Sequence, residues 1–177
     1  MIGLAGERVL LRTIELGDVD ALVEAADADP ASFGGGGEER RQRLHQQVDR
    51  NPTLEDGGFL ALAVEVDDRV IGEVQARAPN NAFPPGVCEI GISLIPAERG
   101  HGYGREAVAL FTEHLLGTGV ARIQASTALV NRAMCRVLER LGYAFEGVLR
   151  EFAPAEGGGR EDYVMYAATV GTWRRAD

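Results

Sequence analysis

The apolar positions of this chain fall into short alternating runs interrupted by two well-marked amphipathic stretches. Val9 to Thr13 predicts a first strand, and Asp18 is placed to cap a helix carrying Val19, Leu22, Val23 and Ala26 on one side, with Pro30 as its end. Between Ala31 and Gly58 the pattern weakens: Gly34 to Gly37 precede a charged amphipathic stretch from Glu38 to Val48, and Asn51-Pro52 and Gly57-Gly58 come after it. That segment is expected to be mobile. Phe59 to Val66 and Val70 to Ala76 flank Asp67-Asp68-Arg69, a hairpin signature with a short polar turn. A Pro- and Asn-rich loop, from Pro79 through Asn80, Asn81 and Pro84 to Pro85, closes off that strand.

Val87 to Leu94 alternates with Cys88, Ile90, Ile92 and Leu94 on one face and Glu89, Gly91 and Ser93 on the other. One face reads as core, the other as small and polar. Pro96 stops this strand, a glycine-rich turn comes next, and a helix from about Arg105 to Leu116 is expected to bury Val108, Phe111 and Leu115 before Gly117 and Gly119 end it. Ala121 to Ala128 predicts another strand. After Asn131, the spacing of Met134, Val137, Leu138 and Leu141 predicts a helix with Gly142 at its C-cap. Tyr143 to Val148 and Glu161 to Thr169 read as two closing strands around Gly157, Gly158 and Gly159. The order is therefore strand, helices, three strands, helix, strand, helix, two strands, with no internal repeat.

Composition narrows what this pattern serves. The 177 residues are expected to form one domain, 1–177, large enough to bury roughly 70% of its unfolded surface. Apolar residues make up 45% and charged residues 25%, as in globular proteins, while the 23 glycines concentrate in loops. With 18 Lys and Arg against 27 Asp and Glu the net charge is −9, which repels nucleic-acid backbones and anionic lipid and would draw in a cationic substrate. Cys88 and Cys135 sit among apolar neighbours and read as reduced core residues. No stretch approaches the roughly 18 apolar residues of a membrane span, and the start of the chain lacks a basic region followed by an apolar run. The expected location is the cytoplasm.

The turn Arg99-Gly100-His101-Gly102-Tyr103-Gly104 carries the clearest chemistry. A helix start exposes unpaired amides and the positive end of a dipole, and glycines let a phosphate approach them closely. Arg99 and Arg105 add formal positive charge. A P-loop would need Gly-Lys followed by Ser or Thr, which is absent. A dinucleotide fingerprint counted from Gly100 would need glycine where Arg105 stands. What remains is Arg-x-x-Gly-x-Gly.

That spacing, with Glu89 to Leu94 before it and Arg105-Glu106-Ala107 after it, resembles the coenzyme A motif of the GNAT superfamily of N-acetyltransferases. It looks most like the RimJ/RimL branch, which modifies protein N-termini and small amines. Leu10-Leu11-Arg12, Asn131 through Leu141-Gly142-Tyr143, and Gly159-Arg160 with Asp162 and Tyr166 extend the resemblance over most of the chain. It implies an α+β, single-domain fold with a central mixed, mostly antiparallel sheet of about six or seven strands flanked by about four helices. It also implies acetyl-CoA as the acyl donor. In the family the amides of the turn, here Gly100, His101, Gly102, Tyr103 and Gly104, hold the pyrophosphate. Amides at the end of the preceding strand, near Leu94 and Ile95, pair with the pantetheine arm, and Asn131 would reach the same arm while also capping a helix.

Acyl transfer to an amine needs a proton acceptor, an oxyanion donor and a tolerated thiolate. Glu89, on the polar face of the strand, is the candidate base, acting through one water; alternatively it caps an amide or pairs with an arginine such as Arg122. The family's oxyanion donor is an amide near a bulge in the same strand, here Ser93 or Leu94. Many relatives carry an acidic tyrosine seven residues after the asparagine, but that position is Leu138. Ser126, Tyr143 and Tyr166 are the substitutes. Cys135 has no histidine placed to activate it, since His101 belongs to the turn and His45 and His114 fall in helical stretches that look solvated. The same scatter of histidines predicts no metal site, and Trp173 reads as a packing anchor.

The expected function is acetyl transfer from acetyl-CoA to a primary amine on a small cationic metabolite, an aminoglycoside-like compound or a protein N-terminus, with Ala31 to Gly58 shaping the acceptor cleft. The alternatives are a non-catalytic CoA-binding sensor and a succinyl-CoA-dependent acyltransferase. A homodimer stays open.

Overall fold

The computed structural model describes residues 2–28, 37–50, 54, 58–78, 84–155 and 157–173. Eight strands form one sheet: β1 (Gly3–Ala5), β2 (Leu10–Thr13), β3 (Phe59–Val66), β4 (Arg69–Arg77), β5 (Val87–Leu94), β6 (Arg122–Ala128), β7 (Ala144–Pro154) and β8 (Arg160–Thr169). Their spatial order is β1-β2-β3-β4-β5-β6-β8-β7. Every neighbouring pair is antiparallel except β5 and β6. The strand beyond the expected six or seven is β1, whose three residues are too short to show alternation and which pairs Gly3 with Arg12.

Among the described residues four longer helices cover the sheet: α1 (Val19–Asp27), α2 (Gly37–Arg50), α3 (Tyr103–Gly117) and α4 (Arg132–Arg140). The amphipathic stretch after the glycines is thus an ordered helix, while Pro30, Gly34 to Gly36 and Asn51-Pro52 lie outside the described residues. The hairpin between β3 and β4 turns on Asp67 and Asp68, both with positive φ (49° and 59°), as a two-residue primed turn demands. Asp fills positions where Gly or Asn is more usual.

The two faces of the sheet bury different cores. Phe111, Leu115 and Val108 of α3 and Leu138 of α4 pack with Leu11, Leu62, Val74, Ile90, Ile123 and Val164, and Trp173 packs against the edge of this cluster. On the other face Leu22 of α1 and Leu44 of α2 cover Ala61 and Ala63. Phe111 is fully buried, so truncating it to alanine is expected to cost about 3–5 kcal/mol. The second face also holds a buried ion pair, Arg40 of α2 with Glu73 of β4. Burial pulls the Arg40 guanidinium down to about 10, with Arg43 adding to the effect. Among the described residues no helix is long and apolar enough to cross a membrane.

The join between β5 and β6 opens the sheet. They pair only at Val87↔Arg122, Cys88↔Ile123 and Glu89↔Gln124. Beyond Glu89, β5 stays with β4 as far as Leu94, and β6 stays with β8 as far as Ala128. Each strand keeps one partner, so the two splay apart and leave a wedge in the sheet with Glu89 at its vertex.

Candidate active site

The wedge opens into a cavity of about 240 Å³ lined by Ile90 to Ser93 of β5, Ser126 to Ala128 of β6, Asn131 and Met134 at the start of α4, and Phe152 and Tyr163 of the β7/β8 ribbon. A second cavity of about 580 Å³, lined by Leu60, Val87, Leu115 and Val120, shares no lining residue with the wedge or the glycine turn. His114 lines that second cavity, and burial lowers its pKa, so it is not the solvated residue its helix pattern suggested.

Strand register decides which backbone groups of β5 face the wedge. Ile95 donates its N–H to the Ile71 carbonyl at 2.8 Å. Residues of an antiparallel ladder alternate between pointing both backbone groups at the partner and pointing both away. Ser93 opposite Glu73 and Gly91 opposite Gln75 therefore bond to β4, whereas Ile92 and Leu94 turn their amides toward the wedge. Two expectations change. Ile95 cannot offer its amide to a ligand because β4 already takes it, and of the pair Ser93 and Leu94 only Leu94 has an outward amide. The β4/β5 register also runs without a shift; the irregularity falls at Val64/Glu65, between β3 and β4.

Glu89 is 5% exposed, although its face of β5 reads as small and polar. Its Oε1 accepts from Ser126 Oγ at 2.6 Å and its Oε2 from Arg77 Nη2 at 2.8 Å. The arginine on Glu89 is thus Arg77, its cross-strand neighbour, and not Arg122, which forks onto Glu146. The structure brings together Glu89 and Ser126, both chosen from sequence, and adds Arg77.

Two substitute acids are displaced. Tyr143 is buried, shares a 2.6 Å hydrogen bond with Thr112, and has its pKa pushed up by burial. Tyr166 donates to Glu139 at 2.9 Å on the far side of the sheet, and its pKa is raised by burial and by that carboxylate. Neither lines the wedge. Leu138 is fully buried, and Cys135 is buried in the main core. The tyrosine that does line the wedge is Tyr163, with its ring 5.2 Å from that of Phe152. Sequence reasoning missed it, although alternation in β8 separates Tyr163 and Met165 from the core-facing Val164 and Tyr166.

Along the open side of β5 lies the glycine turn. Gly100 and Gly102 have φ of 83° and 90°, a backbone that L side chains rarely adopt, and Gly102 is the N-cap of α3. The helix starts at Tyr103, two residues earlier than its pattern suggested, so the amides of Tyr103, Gly104 and Arg105 are the unpaired ones of its first turn. Gly104 packs its α-carbon toward Leu94 and Ile92, joining the turn to the wedge. Arg99 turns its side chain back: Nε donates to the Leu94 carbonyl at 2.9 Å and Nη2 to the Ala28 carbonyl at 3.4 Å. It ties α1 to the end of β5. Arg105 is exposed, and His101 stacks near Tyr103 at 5.8 Å. Asn131 caps α4, accepting from the Met134 amide at 3.2 Å, and also lines the wedge. Among the described residues no group of three or more His, Cys, Asp or Glu could hold a metal.

Residues 8–144 match the acetyltransferase (GNAT) domain family. No curated protein sequence matches significantly. Solved structures with this fold include RimL, the ribosomal L7/L12 alpha-N-protein acetyltransferase in complex with coenzyme A, at 19% identity and TM-score 0.78, covering 96% of this chain and 98% of that one. The ribosomal-protein-S5-alanine acetyltransferase from Vibrio fischeri matches at 22% identity and TM-score 0.77, covering 98% and 100%. The microcin C7 self-immunity acetyltransferase MccE, in complex with acetyl-CoA and AMP, matches at 19% identity and TM-score 0.74, covering 93% and 94%. With a splayed β5/β6 pair, a glycine turn opening α3 and a family match over most of its length, the chain belongs to the GNAT acetyltransferase family.

Proposed function

We propose that the chain transfers the acetyl group of acetyl-CoA to a primary amine by direct attack of the amine on the thioester. The observation that carries this is the wedge: two adjacent strands with free backbone groups, leading from a glycine turn to a buried carboxylate. The turn and the first amides of α3 are the place for the diphosphate. The pantetheine arm carries two amides and pairs, strand-like, with the outward Leu94 amide and the Ile92 carbonyl, with Asn131 across from it. That runs the thioester past Leu94 toward Glu89, and the Ile92 amide is the donor for the oxyanion that forms on attack.

The acceptor enters from the Glu89 face. Phe152 and Tyr163 give an aromatic wall there, suited to a cationic amine. Glu89 takes the amine proton, directly or through one water, while Ser126 and Arg77 fix its orientation. Basicity favours one acceptor class. Free α-amino groups titrate near 8 and alkyl amines near 10, so an α-ammonium gives its proton to any one base at about 3 kcal/mol less cost, at 1.36 kcal/mol per unit. We accordingly favour an α-amino acceptor such as a peptide N-terminus, in keeping with the substrates named for RimL and the S5 enzyme.

The test is free-thiol release from acetyl-CoA across α-amino peptides, alkyl diamines and aminoglycosides. Amine-dependent release, fastest with α-amino acceptors, supports the proposal. Tight CoA binding with no amine-dependent release would leave a CoA sensor instead.

A further inference from the structure

Arg8 lies outside the glycine turn in sequence but against it in space. The Glu106 carboxylate, in the first turn of α3, accepts the Arg8 amide at 2.8 Å and the Val9 amide at 3.1 Å through Oε1, and its Oε2 pairs with Arg8 Nε at 3.3 Å. Burial opposes the charged form of Glu106, but those amides and the guanidinium outweigh it and hold its pKa below the usual range. Arg8 Nη1 donates to the His101 carbonyl at 3.0 Å, and the guanidinium lies over the Tyr103 ring, 5.1 Å from its centroid. Three contacts, to Glu106, His101 and Tyr103, thus hold a half-exposed cation on the turn.

A guanidinium has five N–H donors; here Nη1 donates to the His101 carbonyl, and Nε faces the Glu106 carboxylate as an ion pair. Nη2 has no partner among the described residues. It sits 3.0 Å from where a Cβ on Gly102 would be, beside the left-handed N-cap of α3. Arg99, the cation expected at this turn, is committed to the Leu94 and Ala28 carbonyls. Besides the exposed Arg105, the cation at the mouth of the turn is Arg8, from the β1/β2 connection.

We propose that Arg8 is a donor-binding residue: its Nη2 hydrogen-bonds a diphosphate oxygen of acetyl-CoA, and the Glu106 carboxylate is the positioning group that holds it there. This rests on assigning the glycine turn to that diphosphate. A half-exposed charge-assisted hydrogen bond of this kind is worth about tenfold in affinity. A clip that only joined the hairpin to α3 would need Nε and Nη1 alone.

Calorimetric titration of the full chain, wild type and Arg8→Gln, with CoA, dephospho-CoA and inorganic pyrophosphate separates these roles. The expected result is about a tenfold weaker Kd for both CoA and dephospho-CoA in the variant. Pyrophosphate should weaken in parallel, and the salt sensitivity of CoA binding should fall. An unchanged CoA affinity in folded R8Q overturns the inference, and so does a loss confined to CoA, which would assign Arg8 to the 3′-phosphate. Wild-type chain that binds neither nucleotide overturns the donor assignment along with it. Should R8Q not fold, Arg8→Lys carries the test, because it keeps the charge without the fork. A loss of about threefold with salt sensitivity retained supports the contact, whereas a tenfold loss with a lowered Tm and no salt sensitivity means a structural clip only.

Discussion

Replacing Glu89 by glutamine separates the chemistry of the wedge from its architecture. Glutamine keeps the shape of a side chain that is 5% exposed and can still present its carbonyl oxygen to Arg77 while Ser126 reverses to accept from its amide. The lost charge pair is with an Arg77 side chain that is 41% exposed, so the stability cost is about 1 kcal/mol after solvent screening. The proton acceptor is lost outright. A positioned base contributes about 10²–10⁴-fold, or roughly 3–5 kcal/mol of barrier. The assay is steady-state thiol release with the best amine, reporting kcat and KM separately, beside thermal unfolding of the same preparations. A drop of at least about 100-fold in kcat, KM within about threefold and a small fall in Tm are expected. A folded Glu89→Gln variant with kcat within twofold of wild type would refute the role of Glu89 as base.

Two glycines beside the wedge predict opposite outcomes. A Cβ on Gly72 would stand 2.0 Å from the Ser93 carbonyl oxygen and 2.9 Å from the Leu94 α-carbon, both backbone. Gly72→Ala should therefore cost about 3 kcal/mol in urea unfolding and lower turnover, because β4 and β5 must part beside Leu94. Gly104→Ala meets only Leu94 Cδ1 at 3.4 Å and Ile92 Cδ1 at 3.7 Å, inside a helix, and should be neutral or stabilising by up to about 1 kcal/mol; a larger loss than in Gly72→Ala would contradict the geometry. Glu106 supplies a pH dependence. Since its folded pKa is depressed, its stabilisation is present above the unfolded value near 4.3 and lost as pH falls through the folded value. The Tm difference between wild type and Glu106→Gln should be full at pH 6 and shrink below pH 4, and a difference constant across that range would count against the Arg8/Glu106 lock.

What was legible in the sequence was whatever depends on near neighbours in the chain. Alternation from Cys88 to Leu94 located β5 and both its faces, the glycine run located the start of α3 to within two residues, and Asn131 was visible as a cap. Partnerships set by register were not legible. Arg77 faces Glu89 because β4 and β5 pair in one register, and no local pattern in the chain shows it. Ile95 looked available because adjacency to the turn says nothing about which amides β4 consumes. Arg8, 98 residues from Glu106, reaches the turn only because β1 and β2 return beside α3. Tyr143 and Tyr166 drew notice as hydroxyls, but they pack into the core, and strand parity in β8 leaves Tyr163 facing the wedge.

The central claim is that the outward amides of β5 receive the donor. Residue-resolved hydrogen exchange with and without acetyl-CoA tests it most directly. Ile92 and Leu94 should exchange fast in the free chain and slow markedly in the complex, while Ser93 and Ile95, already bonded to β4, should be slow in both. Protection that fails to appear at Ile92 and Leu94, or that appears equally at all four, would contradict the account.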